Sequence, residues 1–423
     1  MGKEKTMDYK EAFEGVEATR DYIVETLRKL VQIDTSVPPG KNYDKLVAAL
    51  EPDFKKFGFE TERVVIPEEK VREIPYELEG ERVNLVARKD VGKETVSVYA
   101  HMDVVPIEEE WKCDPFAGVV EDDTFYGRGA SDMKGSIASL MGALKVMHDF
   151  SLEPKFNIHC LLCTDEEIGV YPGVNHLALN GYVEGHVLNL ELGAQEPILV
   201  QACEGAINVV ITGVGKSCHS GVNFMGVNAL EEMVPIMNEL LALKKKVEVR
   251  ESKIPSFPLP NVPSPQLTPM FNLSVIRSGA KPNINPGECR LVVNRRYIPE
   301  EKYEEVTREI EEAIERGRSK SKLIDVKVNA VRDYPPVVFD MDSPYMKKMM
   351  DARRAVHDYG DFLVGGIGGS TDMGCVAEVL KTNKFVGVSP VRADNLSAHA
   401  ANERVEIEDL LNMTKELVHY LAF

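Results

Sequence analysis

The chain has 423 residues, of which 43% are hydrophobic and 28% charged, with a net charge of −18. That length exceeds one ordinary core and points to two domains, one of them discontinuous. The acidic balance argues against nucleic-acid binding, which needs a basic footprint, and no apolar run approaches the roughly 18–20 residues that span a bilayer.

The N-terminal "MGKEKTMDYKEAFEG" lacks the apolar core of a secretion signal. Thr6 matches one position of a myristoylation pattern, but nothing else in the chain supports an anchor. Residues 8–33 carry helical apolar spacing at Phe13, Val16, Tyr22, Ile23, Leu27, Leu30 and Val31. The predicted helix stops before the turn-rich "DTSVPPG", and a second helix is expected near 42–57. Strands then alternate with helices: "RVNLVARKD", "TVSVYA", a helix after Asp132, "KFNIHCLLC" and "GHVLNLEL". This alternation, with near-continuous apolar strands, predicts an α/β domain with a largely parallel sheet. Cys160 and Cys163 form a C-x-x-C inside an apolar strand. No second pair follows, so they read as buried structural thiols. The seven cysteines together fit reduced thiols in a cytoplasmic protein.

From about Glu204 the texture changes. "GAINVVITGVG" reads as a strand, 226–246 as a long helix, and the Pro-rich "IPSFPLPNVPSPQLTP" as loop. "MFNLSVIRSG", "ECRLVVNRRYIP" and the charged "EEKYEEVTREIEEAIERGR" follow. The order β-α-β-β-α-β is that of a small ferredoxin-like sandwich. The predicted organisation is one domain of residues 1–203 and 333–423, interrupted by a smaller α+β domain at 204–332.

Several strands end in groups that carry chemistry. In "VYAHMDVVP", His101 and Asp103 are two apart and point to one side of an extended chain. The pair fits a strand-end hydrogen bond, or a metal ligand with its orienting carboxylate. In "YGRGASDMKGSIASLMGAL", Asp132 sits at a helix start, where an N-cap is the ordinary role. Three consecutive acids, Asp165, Glu166 and Glu167, follow a strand in "CTDEEIG"; exposed loop acids are one reading and a bound cation another. Glu191 ends the strand in "VLNLELGAQ", and His399 stands among small residues in "NLSAHAANERV". Open α/β sheets bind ligands at the carboxyl ends of their strands. Two histidines and three carboxylates converging there suit a pair of divalent ions in a hydrolytic site.

The motifs "AHMDVVP", "GRGASDMKG", "TDEEIG", "SCHSG…GVNAL", "NINPGE…NRRY", "GGSTD" and "SAHAANERV", in this order, resemble the M20 family of co-catalytic metallopeptidases and deacylases. That family includes acetylornithine deacetylase, succinyl-diaminopimelate desuccinylase, aminoacylase and glutamate carboxypeptidase. The resemblance implies a zinc-peptidase-like catalytic domain (1–203 and 333–423) and an inserted lid and dimerisation domain (204–332). It implies two divalent ions, zinc first and cobalt or manganese next. His101 would bind one ion with Asp103 orienting it, Asp132 would bridge both, Glu191 would complete the first site, and Glu167 and His399 the second. Glu166 would be the general base. His219 in "GKSCHSG" would stabilise the oxyanion, reaching the partner subunit's site in a homodimer. Asn283 and Arg296 would contact substrate, with Arg295 a decoy, and Gly369 and Ser370 would offer backbone N–H groups. A non-proline cis peptide is expected at Asp132–Met133.

Ser136, Glu204 and Tyr171-Pro172 depart from the family pattern. The implied reaction is hydrolysis of an amide C–N bond beside a free carboxylate, on an N-acyl amino acid or, next, a dipeptide. A carbamoyl, formamide or aryl amine bond is a further possibility within enzymes. A non-catalytic metal- or amino-acid-binding member is the alternative of another class; it predicts loss of the base or a ligand, and both are present. No membrane or nucleic-acid partner is expected.

Overall fold

The protein is described from a computed structural model, over residues 8–169, 173–258, 262–393 and 397–423. It packs as two compact units. One comprises Met1–Val200, Phe339–Val364 and Val379–Phe423, the other Gln201–Val338 and Gly365–Glu378. The second unit therefore takes in 365–378, which the expected boundaries assign elsewhere.

The first unit is built on a six-stranded sheet. In spatial order its strands are Glu60–Val65, Val83–Lys89, Asn157–Cys163, Thr95–His101, His186–Asn189 and Phe385–Gly387. The last four run parallel, whereas the first two pair antiparallel, so the sheet is mixed. The cause is connection length: Lys89 and Thr95 are joined by a short turn, which reverses the chain, and only a long crossover makes parallel neighbours. The parallel part is buried almost throughout, as a sheet covered on both faces requires.

Helix Lys134–Asp149 lies at the centre of this unit, buried on nearly every side among Arg20–Val31 and Ile407–Ala422. Its start is tight: a Cβ on Gly135 would stand 2.2 Å from the Ala130 carbonyl oxygen, so only glycine lets the helix back onto the preceding loop. The single helix expected over 8–33 is two, Tyr9–Ala18 and Arg20–Val31. Thr19 breaks it with φ −95° and ψ 0°, its hydroxyl donating back to the Gly15 carbonyl at 2.8 Å.

The second unit holds a four-stranded antiparallel sheet, in the order Met270–Ser278, Glu288–Tyr297, Gly205–Val214, Asp325–Tyr334. Helices Ala229–Val247 and Tyr303–Arg318 pack together over one face. Burial alternates along Glu288–Tyr297, with Cys289, Leu291, Val293 and Tyr297 in the core under the helices. The split β-α-β arrangement is ferredoxin-like.

Candidate metal centre

His101 ends its strand opposite Cys163, the end of the neighbouring parallel strand. Parallel strands finish on one edge, so the loops leaving them meet there. These loops carry Asp103, then Glu166 and Glu167, then Glu191. The Asn189 side chain accepts from the N–H groups of Glu191 at 2.7 Å and Leu192 at 2.9 Å, turning the chain so that Glu191 leaves the strand. Asp132 comes from the loop before Lys134–Asp149. The cap of that helix is Met133, so Asp132 is not consumed as an N-cap. The Asp132–Met133 peptide is cis. His399 has φ 65°, a left-handed conformation uncommon outside glycine.

His101 Nε2 lies 3.1 Å from Asp132 Oδ1. Its Nδ1 is 3.1 Å from the Asp103 backbone oxygen and 3.6 Å from Asp103 Oδ1, so the carbonyl is the hydrogen-bond partner that fixes the ring. The Asp103 carboxylate serves the next loop instead, accepting from the Glu167 N–H at 2.9 Å. His399 Nε2 is 3.3 Å from Asp132 Oδ2 and 2.9 Å from Glu167 Oε2. Asp132 thus offers one oxygen to each histidine. The ligand atoms of His101, Asp132 and Glu167 lie within 4.8 Å of one another, as do those of His101, Glu166 and Glu191.

Charge is concentrated here, with the His101 and Glu167 side chains buried and His399 at the open side, 55% exposed. Burial and the charge of Asp132 push the Glu167 carboxyl up to about 7. Hydrogen bonds to Asp132 and Glu167 raise the His399 imidazole to about 10. Burial disfavours a charge on His101, yet the Asp103 and Asp132 carboxylates beside it carry it well above the ordinary histidine range. The same histidines hold the Asp132 carboxyl low against its burial. The raised values of Glu167, His399 and His101 report a place that favours positive charge, and the lowered Asp132 is the anion that supplies part of it. Glu167 Oε1 and Asp103 Oδ1 are also buried without a hydrogen-bond partner among the described residues, which buried carboxylates rarely tolerate. Imidazole and carboxylate donors in this arrangement fit two divalent ions: His101, Asp132 and Glu191 could hold one, and Asp132, Glu167 and His399 the other.

The third acid of the run goes elsewhere. Asp165 is fully buried, accepts from the Tyr43 hydroxyl at 3.0 Å, and stands 3.5 Å from Arg82 Nε. Burial and the charge of Asp103 lift it to about 7 against the pull of Arg82. The adjacent acids therefore diverge, one into the core and two into the cluster.

The remaining candidates belong to the second unit. Cys218–His219 pairs with Ile284–Asn285, and the Ser220 N–H donates to the Asn283 carbonyl at 3.0 Å, so His219 and Asn283 share one corner. His219 is exposed and its Nδ1 accepts from the Gly221 N–H at 3.0 Å. Arg295 lies on the buried face of its strand, donating to Glu301 at 2.6 Å. Arg296, on the opposite face, donates to Ser370 Oγ at 2.7 Å, and that hydroxyl donates to the Glu204 carbonyl at 2.7 Å. The Glu204 N–H donates to the Gly369 carbonyl at 3.0 Å. Glu204 itself is fully buried with both carboxylate oxygens unpartnered among the described residues, and burial pushes it up to about 8 against the pull of Arg295 and Arg296. Tyr171 and Pro172 lie outside the described residues.

Residues 97–422 match the family model for peptidase family M20/M25/M40. The chain belongs to this family. It is a metal-dependent hydrolase. A protein of Staphylococcus aureus (strain MRSA252) described as "Probable succinyl-diaminopimelate desuccinylase" is 26% identical over 351 residues, 77% of this chain and 82% of that protein. An acetylornithine deacetylase of Aliivibrio fischeri (strain MJ11) is 32% identical over 225 residues, 53% of this chain and 56% of that one. The M20 metallo-carboxypeptidase Sso-CP2 of Sulfolobus solfataricus shares the fold, with a TM-score of 0.78 at 19% identity over 94% of this chain and 98% of that one.

Two groups near the M20 cluster escape sequence reasoning. Arg82 and Tyr43 hold Asp165, and Arg128 and Glu403 lie buried behind the Asp132 loop. The available signal was weak: a Glu four residues after His399 reads as surface charge unless its distant partners are known.

Proposed function

We propose that this M20 chain hydrolyses the amide C–N bond of an N-acyl amino acid with a free carboxylate, of the acetylornithine or succinyl-diaminopimelate kind. The observation that carries the reading is the approach of Glu166 to His101 and Glu191, within 4.8 Å, at the sheet edge where the second cluster also forms. A base beside the ligands is what amide hydrolysis requires and what a mere metal store does not. The similarity to proteins described as a desuccinylase and a deacetylase supports the acyl-amino-acid class.

Zinc suits the donors best. Divalent ions, when bound, would polarise the scissile carbonyl and acidify the attacking water. Glu166 takes a proton from that water as its oxygen attacks the carbonyl carbon. Its carboxyl then gives the proton to the amine nitrogen as the C–N bond breaks. Asp103 orients His101 and, through its carboxylate, holds the backbone of Glu167. In the second unit, Arg296 receives the substrate carboxylate, with Asn283 and the backbone at Gly369 and Ser370 completing the contact. His219 donates to the oxyanion.

A homodimer through the second unit in the cytoplasm goes with this reading. Val222, Phe224 and Met225 are exposed just after His219, with Phe224 81% exposed, an apolar patch that a second copy would cover. The test is amine release from N-acetyl and N-succinyl amino acids and from dipeptides, with zinc present. Hydrolysis of dipeptides alone would move the chain to the peptidase side of its family. Bound zinc with no hydrolysis of any of these would overturn the proposal.

A further inference from the structure

The loop that carries Asp132 has no regular structure, yet its amides are not left to water. Glu403, 1% exposed, collects them. Its Oε1 accepts from the Ser131 N–H at 2.9 Å, the Ser131 hydroxyl at 2.9 Å and the Asp132 N–H at 3.0 Å. Its Oε2 accepts from the Gly129 N–H at 2.9 Å and from Arg128 Nη1 at 2.8 Å. A carboxylate offers about four lone-pair sites. Five donors saturate it, so Glu403 has no capacity left to be a ligand itself.

Glu403 is also four residues after His399 in the chain. The strand Arg404–Glu406 pairs with Thr124–Tyr126, and the Gly127 N–H donates to the Glu403 carbonyl at 3.0 Å, which pins this residue beside the Gly127–Asp132 segment. Arg128 reaches back to the carbonyls of His399 and Ala400, each at 3.4 Å. The ring of Trp111 covers the Arg128 guanidinium at 5.2 Å. Two loops from distant parts of the sequence, each bearing one candidate ligand, are therefore joined through one buried ion pair. Burying a charge is costly without such compensation. Here the compensation comes from five donors, all on the Gly127–Asp132 segment.

We propose that Glu403 is a positioning residue that sets Asp132 against His399 and so determines whether the position formed by Asp132, Glu167 and His399 takes its ion. The proposal rests on the metal-dependent reading above. It bears more on one of the two positions: Asp132 serves both, but only the second also takes His399 from the loop that the Arg128–Glu403 pair holds, whereas His101 and Glu191 come from strand ends. Glu403→Gln replaces one acceptor oxygen by an NH₂ that faces N–H donors. The loops then separate, while the apolar core beneath them is unchanged.

The test is a zinc titration of the metal-stripped full-length chain against a chromophoric chelator, repeated with cobalt to read the visible spectrum of each ion. The wild type should take two ions. Glu403→Gln should keep one near wild-type affinity and bind the other about 10–100-fold more weakly, the usual scale for loss of a group that orients a ligand. Its near-ultraviolet circular dichroism should stay native. Ser131→Ala, which removes one donor and no charge, should shift the same ion in the same direction by less, and it covers the case in which Glu403→Gln fails to fold. Two ions bound with wild-type affinity in folded Glu403→Gln, or both weakened equally, would overturn the proposal. In the Ser131→Ala arm, an unchanged second ion would do the same. A wild type that binds no divalent ion would instead sink the underlying reading, so the two failures are distinct.

Discussion

His399 Nε2 stands 2.9 Å from Glu167 Oε2, although the two residues are more than two hundred positions apart. His399 reaches this place from a left-handed backbone, and its imidazole is held near a pKa of about 10 by Glu167 and Asp132. Backbone strain of this kind persists where surrounding structure enforces it.

Metal removal should therefore cost both activity and stability. Dialysis against a strong chelator is expected to abolish hydrolysis and lower the melting temperature, with both restored by zinc. Binding at a hundred times its dissociation constant adds about 2.7 kcal/mol. An unchanged melting curve after verified metal loss would argue against the cluster as the ion site.

Glu166→Gln should keep the ions and lose the chemistry. The carboxylate is proposed to move a proton twice, and such a group contributes roughly 10²–10⁴ in rate. The expected result is a fall in kcat of at least that order with metal content unchanged by atomic absorption. Activity within a few-fold of wild type would remove Glu166 from the role of base.

How much of this was legible in the sequence follows from distance along the chain. His101, Glu166 and Glu191 each end an apolar strand, and a polar group breaking such a run is visible locally. The alternating pattern of Glu288–Tyr297 likewise separates Arg295 from Arg296 by parity alone. Glu403 carries no local signal, because its acceptor role exists only when residues 128–132 arrive from elsewhere in the chain. The split at Thr19 was hidden for a different reason: the apolar spacing continues through it, and the break lies in one residue's backbone angles. The antiparallel edge of the sheet was hidden because strand direction depends on connections, not on apolar content.

Arg296→Lys should separate binding from turnover. A guanidinium fork matches a carboxylate in a way an ammonium does not. The expected outcome is a KM raised about tenfold for substrates with a free carboxylate, little change in kcat, and no effect on their amides. An equal loss on acids and amides would mean that Arg296 supports the fold of its unit and does not read the carboxylate.

The proposed role of His219 across a dimer is open to complementation. His219→Ala alone should lower kcat by roughly 10²–10³ with ions retained. Mixing it with Glu166→Gln after dissociation and reassociation gives half heterodimers, each with one complete site if His219 acts in the partner. Roughly a quarter of wild-type activity is then expected, from the pairing statistics of a two-fold dimer. No recovery in verified heterodimers would place His219 in its own subunit's chemistry or outside it.

Glu204 gives a pH dependence that involves no metal ligand. Burial lifts its carboxyl from the ordinary 4.5 to about 8 in the folded chain. Between those values the folded state keeps a proton that the unfolded state has released. Stability from this group is thus complete below about 4.5 and lost as pH rises towards 8. Glu204→Gln keeps the shape and carries no such proton. Its melting temperature should stay close to wild type near pH 5 and exceed it at pH 9 by at least roughly 2–4 °C, the shift for about 1 kcal/mol in a domain of 150–250 residues, since each unit of the Glu204 shift is worth about 1.4 kcal/mol. Melting curves that stay parallel across that range would show that the Glu204 carboxyl titrates normally, and that a cation or solvent reaches it in the folded protein.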